Sequence, residues 1–88
     1  RRISTSEVNQ VLEALLERAA PPQAAGDEVK LMYATQIESA PPTFAIICNR
    51  PDDVAESYQR YLIRGFRKAW GFTGSPLRLK LNRRGNRR

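Results

Sequence analysis

Apolar residues recur at spacings of three and four in two stretches of the chain, which predicts two amphipathic helices. The first is predicted to begin at Ser4, which forms a capping box with Glu7, and to end before Pro21. The second is predicted to follow a break at residues 49–53 and to end at Gly71. The packing side of this second helix is predicted to comprise Val54, Tyr58, Tyr61, Leu62, Gly65, Phe66 and Ala69.

Three shorter stretches have the pattern of β-strands. Residues 29–37 alternate, so Leu31, Tyr33 and Thr35 are predicted to share one side of a strand. Residues 44–48 form a continuous apolar run, which is typical of the central strand of a sheet. The third stretch follows the second helix and alternates leucines with basic or amide residues. The order α-β-β-α-β predicts an α/β (α+β) two-layer sandwich, with a three-stranded mixed sheet and both helices on one face.

Charge divides the chain into two parts. All acidic residues lie at or before Glu56, so residues 1–56 carry a net charge of −4 and residues 57–88 a net charge of +10. Neighbouring cations act together on a partner within one screening length, which favours nucleic acid or another acidic surface. The basic residues of the second helix fall within an arc of about 100° opposite its packing side. We expect these cations to form one binding region with those of the last strand and the tail.

The candidate residues for binding nucleic acid are Arg60, Arg64, Arg67 and Lys68 on the helix, Arg78 and Lys80 on the strand, and Arg83, Arg84, Arg87 and Arg88 in the tail. We expect residues 83–88 to form a disordered basic tail, because they contain no apolar anchor.

The residue types disfavour catalysis. The chain has no His and one Cys, so it can form no internal disulfide and has no imidazole for acid–base chemistry. Asp52 and Asp53 are adjacent at a predicted helix start, where carboxylates usually offset the helix dipole. No P-loop motif and no apolar run of membrane-spanning length is present. We therefore expect a cytoplasmic, non-catalytic domain without a cofactor or metal of its own.

The sequence resembles the C-terminal KH-like domain of the Der (EngA) family, bacterial GTPases with two tandem G domains that act in ribosome assembly. The resemblance covers residues 3–81, and its most specific blocks are residues 33–36 and 41–44. The other matching positions are Ile3, Ser4, Thr5, Val8, Asn9, Asn49, Ser57, Tyr58, Tyr61, Leu62, Arg67, Gly71, Phe72, Gly74, Ser75 and Pro76. The resemblance implies a KH-like domain at residues 3–82, without the G-x-x-G loop that clamps nucleic acid in KH domains. Residues 71–74 match G-x-x-G by letter, but they join a helix to a strand.

The resemblance also implies a partner and a location for the chemistry. It implies binding to the large ribosomal subunit, with GTP and magnesium held by the G domains of a longer parent protein. We expect the domain to bind ribosomal RNA through phosphate contacts made by the ten candidate basic residues, and to be monomeric in isolation. The alternative is a regulatory module that packs against the G domains and couples nucleotide state to ribosome binding. The candidates for that interface are Tyr33, Gln36, Pro41, Pro42 and Thr43.

Overall fold

The first helix, α1, spans Thr5–Arg18 in the computed structural model, which describes residues 2–85. Ser4 Oγ accepts a hydrogen bond from the Glu7 backbone N–H at 3.2 Å, which is the Ser4 half of the predicted capping box. The Glu7 carboxylate accepts a hydrogen bond from Trp70 Nε1 at 2.9 Å, and so ties this end of α1 to the second helix. Glu7 therefore takes part both in the N-terminal cap of α1, through its backbone, and in a contact with Trp70, through its side chain.

The remaining elements follow in the predicted order. They are β1 (Leu31–Ser39), β2 (Pro42–Cys48), a 3-10 turn (Pro51–Asp53), α2 (Glu56–Trp70) and β3 (Arg78–Arg83). The sheet order is β1-β2-β3, with β1 and β2 antiparallel and β2 and β3 parallel. The apolar strand β2 is therefore the central strand, and the predicted mixed sheet with two helices is confirmed.

Both helices cover one face of the sheet, and the core lies between the two layers. Phe44 of β2 is fully buried and packs against Phe66 and Trp70 of α2, with ring centroids 5.1 and 5.4 Å away. Leu79 and Leu81 of β3 pack against the same core. Trp70 is thus a core residue, whereas Ala69, which was predicted to lie on the packing side of α2, is exposed.

The opposite face of the sheet, called the open sheet face below, carries the intervening residues of each strand. Its cross-strand rows follow from the strand register and are Glu38–Thr43–Arg78, Thr35–Ala45–Lys80 and Tyr33–Ile47–Asn82. Side chains of paired residues lie on the same face of a sheet. The open sheet face therefore has a small-residue centre with basic side chains along β3.

The predicted alternation of β1 is wrong. The register shifts between Leu31 and Tyr33 and again between Gln36 and Glu38, so each bulge adds one residue that β2 does not match. The buried residues are Leu31, Ala34 and Gln36, whereas Tyr33 is 47% exposed. An inserted residue reverses the side of every residue beyond it, which explains why a two-residue period fails here.

The outer edge of β1 is occupied by the side chain of Asn9 from α1. Asn9 Nδ2 donates to the Ala34 carbonyl at 2.8 Å, and Asn9 Oδ1 accepts from the Ala34 N–H at 2.9 Å. Asn9 Nδ2 also lies 2.8 Å from the Thr5 carbonyl of its own helix. A single amide therefore links α1 to both backbone groups of Ala34.

The two helices meet at a glycine and at two tyrosines. A Cβ atom on Gly65 would lie 2.5 Å from Leu15 Cδ2, so the missing side chain permits the close approach of α1 and α2. The hydroxyls of Tyr58 and Tyr61 donate to the carbonyls of Ala19 and Leu15, at 2.5 and 2.6 Å. Burial, with a smaller contribution from the neighbouring Tyr61, raises the pKa of Tyr58 to about 12. Both tyrosines thus satisfy carbonyls at the C-terminal end of α1.

Candidate nucleic-acid interface

The outer side of α2 carries the predicted helix cations, because the buried positions recur every four residues on the opposite side. Arg64 and Lys68 are exposed and form no ion pair with any residue between 2 and 85. Arg60 lies 3.8 Å from Glu56 Oε1, a long contact between exposed groups. Arg67 is half-buried, and its Nε atom has no hydrogen-bond partner within the described chain. Three of the four predicted cations are therefore freely accessible to a ligand.

A further cation, which the sequence did not indicate, joins this surface from α1. Arg18 lines a groove of about 310 Å³ between the helices together with Lys68, and an adjoining groove together with Arg64. Its position at the end of α1 places it beside α2 because the helices are antiparallel and packed at Gly65. We define the helix cation face as Arg18, Arg60, Arg64, Arg67 and Lys68.

The strand cations lie on the other side of the domain, which corrects the expectation of one binding region. Arg78 and Lys80 are exposed and belong to the open sheet face, because the leucines that alternate with them face the helices. The whole sheet and α2 therefore separate these cations from the helix cation face. One phosphate cannot contact both sets.

The predicted tail begins within a strand. Arg83 is the last residue of β3, and its Nη1 donates to the Asn49 carbonyl at 2.8 Å. Arg84 Nη2 lies 3.5 Å from Met32 Sδ, so its guanidinium reaches from the end of β3 to β1. Arg87 and Arg88 lie outside the described residues. Arg83 therefore has a structural contact that the sequence did not indicate.

The position that would hold a nucleic-acid clamp in a KH domain is acidic here. In a KH domain the clamp loop joins two helices. The corresponding junction here lies between the 3-10 turn and α2, and its residues, Val54 and Ala55, include no glycine. Asp52, Asp53 and Glu56 are exposed around this junction. Carboxylates repel phosphate, so this junction is unsuited to hold an RNA backbone. Residues 71–74 lie between α2 and β3, as predicted.

Most residues predicted to form a domain interface are buried within the domain, and the polar ones form internal hydrogen bonds. Gln36 is 5% exposed, and its Oε1 accepts from the Ile3 N–H at 2.6 Å. Thr43 is 6% exposed and donates to the Pro41 carbonyl at 2.9 Å. Pro42 is buried and Pro41 half-buried, so Tyr33 alone among the five candidates has an exposed side chain. The structure therefore gives Gln36 and Thr43 internal roles.

Other kinds of site find little support. Among residues 2–85, no group of three or more His, Cys, Asp or Glu side chains could hold a metal ion. No helix in the same part of the chain is long and apolar enough to cross a membrane. Burial raises the pKa of the Cys48 thiol, although a backbone hydrogen bond from Arg50 and the charge of Arg83 act in the opposite direction. A buried thiol with a raised pKa is a poor nucleophile.

Comparison with known proteins identifies the family. The family described as "KH-domain-like of EngA bacterial GTPase enzymes, C-terminal" matches residues 2–82. A protein named GTPase Der from Gemmatimonas aurantiaca is 61% identical over 84 residues, which cover 96% of this chain and 19% of that protein. Proteins of the same name from Moorella thermoacetica and Cereibacter sphaeroides are 47% and 39% identical; they align with 100% and 99% of this chain, and with 20% and 18% of their own lengths.

The chain thus spans about a fifth of the length of the curated relatives that it matches. The family match covers both helices, β1 and β2, and all of β3 except its last residue. The chain therefore belongs to the family of KH-like C-terminal domains of the EngA (Der) bacterial GTPases.

Proposed function

We propose that this domain binds ribosomal RNA of the large subunit through phosphate contacts made by the helix cation face. The observation that carries the proposal is the absence of ion pairs at Arg18, Arg64 and Lys68 within residues 2–85. Cations that have no internal partner remain available to neutralise phosphates. Contacts to phosphate position a protein on RNA without reading its sequence, so we expect recognition of shape and charge.

The acidic junction before α2 supports the same choice of surface. RNA would meet Asp52, Asp53 and Glu56 at the position of a KH clamp, whereas Arg64 and Lys68 lie two to three turns further along α2. The helix cation face is therefore the more favourable phosphate site on the helical side. This arrangement fits a KH-like fold that binds RNA without the usual clamp.

The proposal assigns catalysis to another part of the parent protein. The relatives are named GTPases, and this chain aligns with about a fifth of each. We infer that GTP and magnesium bind outside the chain and that the domain is non-catalytic, because its sequence lacks a P-loop motif and any His. A cytoplasmic location is consistent with an unpaired, buried Cys48.

Reversing the charge of the helix cation face should weaken RNA binding strongly. The variant carries Arg60→Glu, Arg64→Glu and Lys68→Glu, and spares the partly buried Arg67. If about five phosphates are neutralised, log affinity of the 88-residue chain should fall with log salt at a slope of roughly −3 to −5, and the variant should have a flatter slope. Filter binding to large-subunit ribosomal RNA at several salt concentrations measures both quantities.

Lys30 provides a matched control for this experiment. It is exposed and forms no ion pair within the described chain. It lies immediately before β1 in the chain and is not part of the helix cation face. We expect Lys68→Glu to reduce affinity more than Lys30→Glu does. Equal effects of the two substitutions, or a salt slope near zero for the original chain, would contradict the proposed surface.

A second candidate function is contact with the G domains of the same polypeptide. The observation that favours it is Ile37, which is 41% exposed at the bulge of β1 that precedes the turn containing Pro41. Covering this side chain removes apolar surface from water, which favours docking of a neighbouring domain here. Pro41 is half-buried at the same end of the sheet. Pro41 is one of the predicted interface residues, and the structure adds Ile37 to it at this end of the sheet.

Ile37→Asp tests this second function in the full-length protein. If a G domain covers Ile37, the charge should alter how ribosome association depends on GTP and GDP, as measured by co-sedimentation. Affinity of the 88-residue chain for RNA should change by less than about two-fold, since Ile37 lies outside the helix cation face. An unchanged nucleotide dependence, together with a folded variant, would remove Ile37 from the interface.

A further inference from the structure

We propose that the open sheet face is a second nucleic-acid site, which binds a short single-stranded RNA segment by stacking one base on Tyr33 while Lys80 and Arg84 contact its phosphates. This site lies on the side of the sheet opposite the helix cation face. It takes a different ligand class, because stacking needs an unpaired base. The inference does not depend on the helix cation face being correct.

The stacking residue is Tyr33, whose ring is held at the surface by the fold. The bulge beside Met32 places Tyr33 on the open sheet face, and the residue is 47% exposed. Its cross-strand neighbour Ile47 supports it from the central strand, and Asn82 follows in the same row on β3. An exposed aromatic ring beside a β-branched neighbour presents a flat surface that any base can stack on.

The cations lie at a suitable distance from this ring. Lys80 is in the adjacent row on β3, and strand spacing places β3 about 10 Å from β1 across the sheet. Arg84 approaches from the end of β3 and contacts Met32, the residue before Tyr33. A nucleotide stacked on Tyr33 therefore has one cation across the sheet and another beside it. Single-strand binding proteins combine a stacking ring with such backbone cations.

The sheet surface between Tyr33 and Lys80 carries small side chains and no carboxylate in the described rows. Ala45 and Thr35 occupy the row of Lys80, so small side chains separate the two edges. The carboxylate in the described rows of this face is Glu38, which is in the row of Arg78 at the far end from Tyr33. Lys80 and Arg84 form no ion pair within residues 2–85. The Tyr33 end of the face is thus the favourable end for phosphate.

The same observations favour RNA over a protein partner at this end. A protein interface is expected to have a contiguous apolar core, whereas the exposed apolar residue Ile37 is separated from Met32 and Tyr33 along β1. Met32 is contacted by the Arg84 guanidinium, and Ile37 lies beyond Thr35 at the other end of β1. An exposed aromatic ring with Lys80 and Arg84 nearby matches an unpaired base and its phosphates better than it matches a packed apolar surface.

The test is binding of a fluorescently labelled oligouridylate of about eight nucleotides, a length within the usual single-strand site size, to the 88-residue chain. Tyr33→Ala should weaken binding by about ten-fold, whereas Tyr33→Phe should retain it, because the ring and not the hydroxyl stacks. Lys80→Gln should reduce the magnitude of the salt slope by about one. Binding of a fully paired RNA duplex should be unchanged by Tyr33→Ala.

Ile37→Ala is the matched control, since it removes another exposed apolar side chain from the same strand. Equal loss of oligouridylate binding in Ile37→Ala and Tyr33→Ala would overturn the proposal, and so would unchanged binding by Tyr33→Ala. A second measurement needs no variant: an oligonucleotide containing 4-thiouridine should crosslink to Tyr33 on irradiation, and crosslinks confined to α2 would also overturn it. Failure of the helix cation face would appear separately, as equal effects of Lys68→Glu and Lys30→Glu on binding to large-subunit ribosomal RNA.

Discussion

Replacing Phe66 with Ala is expected to reduce the free energy of unfolding by about 4 kcal/mol, the largest loss among the substitutions considered. Phe66 is fully buried, and its ring centroid lies 5.1 Å from Phe44 and 5.2 Å from Trp70. Its removal leaves a cavity between the helical layer and the central strand that rigid neighbours cannot fill. Chemical denaturation followed by circular dichroism measures the change.

Phe66→Leu controls for the chemistry of the substitution. It keeps most of the apolar volume, so the loss should be nearer 1 to 2 kcal/mol. Tyr61→Ala should also cost less than Phe66→Ala, because Tyr61 is half-buried and its hydroxyl reaches Leu15 at the helix interface. If Phe66→Ala instead kept normal stability and lost RNA binding, α2 would have to be oriented with its other side towards the sheet.

Asn9→Ala is expected to reduce the free energy of unfolding by about 2 kcal/mol, although Ala is the better helix former. The substitution removes hydrogen bonds to both the N–H and the carbonyl of Ala34, at a partly buried strand edge. A backbone group that loses its partner away from water costs more than the bond itself contributed. Urea denaturation of the 88-residue chain measures the loss.

The neighbouring Gln10 is a suitable control for Asn9. It is also on α1 and is exposed, so Gln10→Ala should change stability by less than about 0.5 kcal/mol. Equal stabilities of the two variants would show that water replaces the Asn9 amide at the edge of β1. Hydrogen exchange of the Ala34 amide would distinguish this case, because a water-bonded N–H exchanges faster.

Local patterns in the sequence were sufficient to predict the element order, the N-terminal cap of α1 and the central position of β2. Each depends on residues close together in the chain, such as the pairing of Ser4 with Glu7. The inward residues of β1 were not predictable in this way. Its two bulges are fixed by pairing with β2 and by contacts of Asn9 and Gln36 with distant segments. A periodicity argument contains no information on those contacts.

The cations of the candidate site were identified from charge alone, but their arrangement was not. The leucines that alternate with Arg78 and Lys80 face the helices, so the sequence pattern already implied that these cations point away from α2. Arg18 was missed because it belongs to the acidic part of the chain and reaches α2 only through the antiparallel helix packing. Charge partition along a sequence therefore predicts which residues are basic, and the fold decides which of them act together.

The amide of Asn9 also has a consequence for how copies of this domain behave at high concentration. An unpaired strand edge is a template on which a second chain can extend a sheet and begin aggregation. At β1 this template is blocked, because Asn9 occupies the Ala34 backbone groups and Arg2 Nη1 donates to the Gln36 carbonyl at 2.9 Å. At the other edge, β3 carries Arg78, Lys80 and Arg83, and two such edges would repel each other. We therefore expect the domain to resist self-association through its sheet, even where many copies accumulate.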